Sequence, residues 1–211
     1  MTATQVGWLD STQLGVLTST NVGLLTRAQV GGLTADDVIL LDSNLTTTQL
    51  GWLSPSQLTQ TGGTGDDTIT GGRGADTITG GAGADSLTGG STGANTFVYT
   101  TLSDSIVASY DTIADFKAGD FFKVGHTIAS GGFQTATIAT SSDLGASLAS
   151  TSNLTATNFI ASGATLVTVS EGTAVGRYLV INNAVATFSS SDDAVIKLSG
   201  SAAVANTNFI V

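Results

Sequence analysis

Between Gly62 and Thr88 the chain repeats every nine residues, and few periods restrict a backbone so tightly. The units are Gly62-Gly63-Thr64-Gly65-Asp66-Asp67-Thr68-Ile69-Thr70, Gly71-Gly72-Arg73-Gly74-Ala75-Asp76-Thr77-Ile78-Thr79 and Gly80-Gly81-Ala82-Gly83-Ala84-Asp85-Ser86-Leu87-Thr88. A degraded unit, Gly89-Gly90-Ser91-Thr92-Gly93-Ala94-Asn95-Thr96-Phe97, carries one insertion and puts Asn95 where the others have Asp. Glycine admits left-handed backbone and lets carbonyls converge, so the first six residues of a unit read as a turn. The last three read as a short strand, with Ile69, Ile78, Leu87 and Phe97 pointing inward and Thr or Ser outward. Two units complete one coil of a parallel β-roll. Equivalent turns on one edge are then two units apart, which stacks Asp67 over Asp85 and Asp76 over Asn95.

A hard cation that takes six to eight oxygens fits between such turns. The first edge offers the carboxylates of Asp67 and Asp85, with backbone carbonyls of Gly62, Thr64, Gly80 and Ala82 as the remaining candidates. Asp suits the role better than Glu, because its short side chain stays against its own turn. Asp66 adds charge at this edge. The second edge pairs Asp76 with Asn95, with Gly71 and Arg73 as carbonyl candidates, and is expected to be weaker or altered for want of one charge. A flexible Gly-rich linker does not explain in-phase apolar residues at every inward position. A dinucleotide fingerprint fails as well: Gly63-Thr64-Gly65-Asp66-Asp67-Thr68 lacks the third Gly and sets carboxylates where a pyrophosphate would lie.

These nonapeptides resemble the G-G-x-G-x-D-x-U-x repeats of the RTX family of secreted, calcium-binding bacterial proteins. The resemblance continues through Thr96-Phe97-Val98-Tyr99, Asp104-Ser105 and Asp111-Thr112-Ile113-Ala114-Asp115-Phe116-Lys117-Ala118-Gly119-Asp120, which look like the segment after the roll in secreted metalloproteases and RTX surface proteins. The stretch Asn206-Thr207-Asn208-Phe209-Ile210-Val211 is similar to the uncleaved signal read by type I secretion machinery; a last strand docking on the sheet is compatible with it. The resemblance implies Ca2+ as cofactor, folding coupled to calcium, and a secreted, extracellular or cell-surface location. The physics agrees, since a Gly-rich segment with stacked like charges has a large ordering entropy to overcome. Binding free energy then becomes folding free energy, at about the 10⁻⁴–10⁻³ M affinities of extracellular modules. The Asp111/Asp115/Asp120 cluster reads equally as a further calcium site or as caps and turn residues.

From Thr2 to about Gln60 the period is eight: Gln5-Val6-Gly7-Trp8-Leu9, Gln13-Leu14-Gly15-Val16-Leu17, Asn21-Val22-Gly23-Leu24-Leu25 and Gln29-Val30-Gly31-Gly32-Leu33. Asp37-Val38-Ile39-Leu40-Leu41 keeps phase, and a four-residue slip leads to Gln49-Leu50-Gly51-Trp52-Leu53. Three residues before each Gln, Asn or Asp stands a capping type: Thr2, Asp10, Thr18, Thr26, Thr34, Thr46 and Ser54. This capping-box spacing predicts helices of one or two turns, with a short β-solenoid as the alternative. An octad is too short to stand alone and needs neighbours or a partner. Trp8 and Trp52 hold equivalent positions and read as packing residues, a ligand-stacking pair being the other reading.

The expected fold is mainly β. It comprises the octads over 1–60 for assembly or docking, the calcium-binding roll over 61–95, and a β-rich region over 96–211 that forms a sandwich or extends the roll. Within that region Arg177–Ile181 and Ala184–Phe188 flank Asn182-Asn183, which suggests a hairpin, and Ala194–Leu198 reads as another strand. Around Ser141 to Asn153 a polar loop with one helical turn is expected.

Composition narrows the function. The net charge is -10, with six Lys+Arg, which argues against nucleic acid and anionic lipid. No Cys is present, so disulfides and thiolate zinc sites are excluded. No apolar run is long enough for a membrane span, and Met1-Thr2-Ala3-Thr4-Gln5 does not read as a cleaved secretory signal. The octads contain no His and no G-x-S-x-G, so neither H-E-x-x-H nor a nucleophile elbow occurs there. The sole His126, in Val124-Gly125-His126-Thr127-Ile128, reads as structural, and no enzyme activity is expected. Only 10% of residues are charged, against roughly 25% in ordinary globular chains, which favours self-association or docking on a surface or matrix. The expected function is therefore a calcium-dependent extracellular assembly protein of the layer, matrix or filament kind. The alternative is a monomeric adhesin or carrier that binds a glycan, lipid or protein through the octads.

Overall fold

The structure is a computed structural model and describes residues 1–41, 44–50, 52–128, 132–138, 143–149, 161–183, 185, 187–200 and 202–210. The octads form six short helices: α1 (Ala3–Val6), α2 (Ser11–Gly15), α3 (Ser19–Gly23), α4 (Arg27–Val30), α5 (Ala35–Leu41) and α6 (Thr47–Leu50). A 3-10 turn over Pro55–Leu58 follows. Each of α1 to α4 opens with a reciprocal box, such as Asp10 accepting from the Gln13 backbone N–H (2.8 Å) while Gln13 Oε1 accepts from that of Asp10 (3.0 Å).

Helices this short do not persist alone in water; tertiary packing holds them. Val6, Leu14, Val22, Val30 and Val38, eight residues apart, are all buried, and Leu25, Leu33 and Leu41 join them from three residues on. α1 packs on α4 and α2 on α5, so three octads make one coil of a superhelix. Glutamine links the coils. Gln49 uses Oε1 in its own box, while its Nε2 donates to the carbonyls of Val22 (2.8 Å) and Leu25 (3.0 Å) one coil earlier. Gln57 does the same to Val30 and Leu33, both at 2.8 Å. Gln57→Leu would strand two buried carbonyls, and we expect a loss of about 2–4 kcal/mol in denaturant unfolding.

The roll follows without a break. β1 (Thr59–Thr64), β3 (Thr77–Ala82), β5 (Thr96–Tyr99), β7 (Phe121–Val124) and β12 (Phe209–Ile210) lie in that order in one all-parallel sheet. The facing sheet runs β2 (Thr68–Thr70), β4 (Ser86–Thr88), β6 (Asp111–Ile113), β11 (Ala194–Leu198), β10 (Gly176–Ile181), β9 (Ala164–Val169) and β8 (Phe133–Ile138). The inward positions stack in register, Ile69 on Leu87 on Ile113 and Ile78 on Phe97 on Phe122. Phe116, Phe122 and Phe209 stack between the sheets at centroid separations of 4.8 and 5.6 Å. β1 and β3 run six residues, not three, because the pairing of Gly63 with Gly81 and Thr64 with Ala82 carries the ladder into the glycines. Gln60 occupies the first inward position, opposite Ile78, and donates from Nε2 to the Gly71 carbonyl (3.3 Å).

The strand order is that of a roll extended by the C-terminal region: β11 adds to β6 and β12 to β7, both in parallel. Beyond β11 the sheet continues through the antiparallel β10 and β9. α7 (Leu144–Ala149) buries Leu144 and Leu148 against the outer side of this extension, with Val167, Val169, Tyr178, Val180 and Val195. Both faces are covered, which is why Tyr178 to Ile181 are buried without alternation.

Three expectations need correction. The fold is mixed α/β and not mainly β: the short octad helices, as expected from their capping boxes, and α7 stand beside the strands. The hairpin at Asn182-Asn183 is absent: among the described residues of 184–188 there is no strand, and β10 pairs with β11 instead. The buried Asp193 carboxylate closes that connection by accepting from the N–H groups of Asn183 (2.9 Å) and Ser189 (2.7 Å). Trp8 is not a packing residue; it is 77% exposed, whereas Trp52 packs against the octad core. Of the loop around Ser141 to Asn153, residues 141–142 and 150–153 lie outside the described residues, as do Ala184, Ala186 and Val211.

Candidate metal centre

Two ladders of short polar side chains run along the edges of the roll. On the first, the Asp67 backbone N–H donates to Asp85 Oδ1 (2.8 Å) and the Asp85 N–H to Asp111 Oδ1 (2.9 Å). On the second, the Asp76 N–H donates to Asn95 Oδ1 (3.0 Å) and the Asn95 N–H to Asp120 Oδ1 (2.8 Å). The nine-residue spacing therefore brings together Asp67 with Asp85 and Asp76 with Asn95. It does not reach Asp111 and Asp120, whose signal is the recurrence of an acid two residues before an inward apolar one. Asp115 accepts from the N–H groups of Gly89 (2.7 Å) and Gly90 (2.8 Å). All three members of that acidic cluster thus cap the turns of the preceding coil.

On the first edge the glycines open a cradle. A Cβ on Gly62 would meet Asp67 Oδ2 and the Gly80 carbonyl oxygen, each at 2.5 Å. The space that only glycine leaves is thus shared by a carboxylate and a carbonyl from the next coil. Asp85 is buried and its Oδ2, which sits against Gly80, has no hydrogen-bond partner. An orphaned carboxylate oxygen one coil from an oxygen-lined cradle is a donor set that fits a hard cation. Among the described residues no three His, Asp or Glu side chains converge, so the donor set is carboxylates with backbone carbonyls. Of the other carbonyl candidates, Ala82 accepts from the Gly65 N–H (2.6 Å), and Thr64 lies in β1 beside it.

The second edge has a similar cradle, where a Cβ on Gly71 would meet the Gly89 carbonyl (2.7 Å) and Asp76 Oδ2 (2.8 Å). Asn95 changes its chemistry. Because Oδ1 accepts from Asp76, the buried Nδ2 turns toward Gly89 with no partner and presents a donor where a cation needs an oxygen. Arg73 pins this turn to the octads, its Nη1 donating to the Leu45 carbonyl at 2.8 Å. Asn95→Asp should replace the donor with a carboxylate oxygen. We expect calcium bound per chain, measured by equilibrium dialysis, to rise by about one, and the calcium-free chain to lose stability through the added buried charge.

The electrostatics point the same way. Burial raises the Asp85 carboxyl, the Asp67 N–H opposes it, and the neighbouring Asp67, Asp66 and Asp104 carboxylates push it further up. Burial raises Asp111 to about 7, against the stabilising Asp85 N–H. Burial also carries the Tyr99 hydroxyl well above its ordinary value, with the Asp111 charge next in effect. Stacked buried acids are costly as anions, and a divalent cation relieves that cost. His126 is half-buried, and burial lowers its pKa.

Comparison with known proteins singles out the same segment. The RTX calcium-binding nonapeptide repeat family matches residues 61–95, in four copies. No curated protein matches the chain.

Proposed function

We propose that this chain, whose residues 61–95 are RTX repeats that bind Ca2+, is a secreted structural protein. Its roll orders on calcium outside the cell, and the ordered molecule assembles into, or docks on, an extracellular layer, matrix or filament. The observation that carries the calcium-coupled part is the buried, unpartnered Asp85 Oδ2 against Gly80, one coil from the Gly62 cradle that Asp67 Oδ2 and the Gly80 carbonyl line. Bound calcium would supply the positive charge and the oxygen coordination that the stacked acids lack.

Export in an unfolded state followed by folding outside is the logic of such a switch. At cytosolic calcium the acids repel and the glycines stay free; at about millimolar calcium the repeats close. The region similar to a type I secretion signal forms a 3-10 turn over Asn206–Asn208 and then β12 against β7, so one sequence could serve export first and sheet closure later. No catalysis is assigned.

The test is to titrate calcium into purified protein while following circular dichroism, light scattering and electron microscopy. Ordering near millimolar calcium followed by particle growth is expected. Unchanged dichroism would overturn the metal switch. A monomer that persists after ordering, and binds a glycan or lipid saturably, would replace assembly with the adhesin or carrier reading.

A further inference from the structure

We propose that Asp111, which lies outside the nine-residue repeats, is a ligand of a further calcium ion, held between the turns that end at Asp85 and Asp111 with the Tyr99 hydroxyl beside it. The inference rests on the calcium reading above and carries it one coil beyond residues 61–95, the segment that the repeat family matches.

Register makes Asp111 the next rung of the first ladder. Ser86 pairs with Thr112 and Leu87 with Ile113, as Thr68 pairs with Ser86 and Ile69 with Leu87 one coil earlier. The Thr112 N–H donates to the Asp85 carbonyl at 2.8 Å, and the Ser86 N–H donates to the Asp67 carbonyl at the same distance. Asp111-Thr112-Ile113 also repeats the order of acid, hydroxyl and inward apolar residue in Asp67-Thr68-Ile69. Only the turn ahead of it differs. Residues 100–110 contain no Gly, and a 3-10 turn over Leu102–Asp104 stands where the repeats have a glycine loop. A spacing count misses such a turn, but the backbone ladder runs through it.

The oxygens separate Asp111 from the other acids of its cluster. Both oxygens of Asp115 accept from backbone, at Gly89 and Gly90. Asp120 accepts from the Asn95 N–H at Oδ1 and from the Lys117 N–H at Oδ2 (3.0 Å). Asp111 uses only Oδ1, for the Asp85 N–H, and this bond sets its carboxylate against the Asp85 turn. Its Oδ2 is buried without a hydrogen bond, as is Asp85 Oδ2. Tyr99, which ends β5 and leads into the same turn, brings a third such oxygen: its hydroxyl approaches the Asp111 carboxylate without hydrogen-bond geometry. Asp85, Asp111 and Tyr99 are 2, 0 and 1% exposed, so water does not reach these atoms from outside. The charges that act on the two carboxylates, those of Asp66, Asp67 and Asp104 among them, are all negative. Two carboxylate oxygens and a phenol oxygen, dehydrated and without donors, are what a hard divalent cation collects. A direct bond between Tyr99 and Asp111 would serve two of the three and leave Asp85 Oδ2 bare. A cation serves all three, and Asp85 would then bridge this site and the one at Asp67.

The test counts calcium on the full chain. Equilibrium dialysis at saturating calcium should give one ion fewer per chain for Asp111→Asn, which keeps an Oδ1 for the Asp85 N–H. Asp115→Asn, which disturbs a neighbouring turn and no proposed ligand, should keep the wild-type count. An unchanged count in Asp111→Asn would overturn this site and leave the calcium switch of the repeats standing. Equal losses in the two variants would also overturn it, as the mark of a collapsed turn. The wild type supplies a reading that needs no variant: crystals grown in calcium should show an ion about 2.3–2.6 Å from Asp111 Oδ2. A Tyr99 hydroxyl bonded to that oxygen, with no ion there, would overturn the proposal. A wild-type chain that binds no calcium would overturn both this site and the switch.

Discussion

In saturating calcium, Asp85→Asn should cost about 2 kcal/mol of stability and shift the calcium midpoint upward by tenfold or more. Asp85 is the central rung of the first ladder, with Asp67 before it and Asp111 after it. The substitution keeps shape and the Asp67 hydrogen bond but replaces the orphaned oxygen with a donor, the arrangement already present at Asn95. A site held at about a hundred times its dissociation constant contributes about 2.7 kcal/mol, and most of that is forfeited. Without calcium the sign changes. Burial and neighbouring acids raise the Asp85 carboxyl, so its ionised form is a burden on the empty fold. Removing it should leave the calcium-free chain unchanged or slightly more stable. Chemical denaturation with and without chelator checks both halves, and equal losses in the two conditions would sink the ligand role.

Gly81→Ala is the second large effect. Gly81 has φ of +104°, and a Cβ there would collide with the Gly63 carbonyl one coil away. Backbone strain and overpacking each cost about 1–3 kcal/mol. Their sum of about 3 kcal/mol or more should prevent calcium from inducing strand structure in the repeats, as followed by circular dichroism. Gly65→Ala provides the control. Its φ is similar, +112°, but a Cβ there meets nothing within 4 Å. Only the conformational part remains, about 1 kcal/mol, and calcium should still order the roll.

The ladders show what the sequence could reveal and where it stopped. A fixed nine-residue spacing converts position into height along the roll, so the partnership of Asp67 with Asp85 is legible from a count. Asp111 stands 26 residues beyond Asp85 with an irregular turn between, and counting fails although the ladder continues. The octads were legible in their caps, since Thr or Asp three residues before Gln fixes a local hydrogen-bond pair. The number of octads per coil was not, because it depends on how short helices pack. Trp8 and Trp52 illustrate the consequence: similar in local context, they differ because Trp52 packs against the octad core and Trp8, among the described residues, does not. The 182–193 connection escaped for a related reason, as Asp193 organises it through bonds to Asn183 and Ser189 that no turn propensity encodes.

The splicing of β11 onto β6 also sets an order of events. Within the repeats, paired strands are 18 residues apart, as in Ile69 with Leu87, whereas Ile196 pairs with Asp111, 85 residues earlier. Closing the long loop carries a larger entropic cost, and contacts between distant residues form slowly. The repeats should therefore zip first and expose the free borders of β6 and β7. Ser105 then exchanges bonds with Val195, its Oγ donating to the Val195 carbonyl and its own carbonyl accepting from Val195 N–H, both at 2.7 Å. Asn208 latches onto the Asp120 carbonyl at 2.8 Å. Until that clasp engages, the nascent roll has two open borders, and this interval is when it is most exposed to mispairing with another chain.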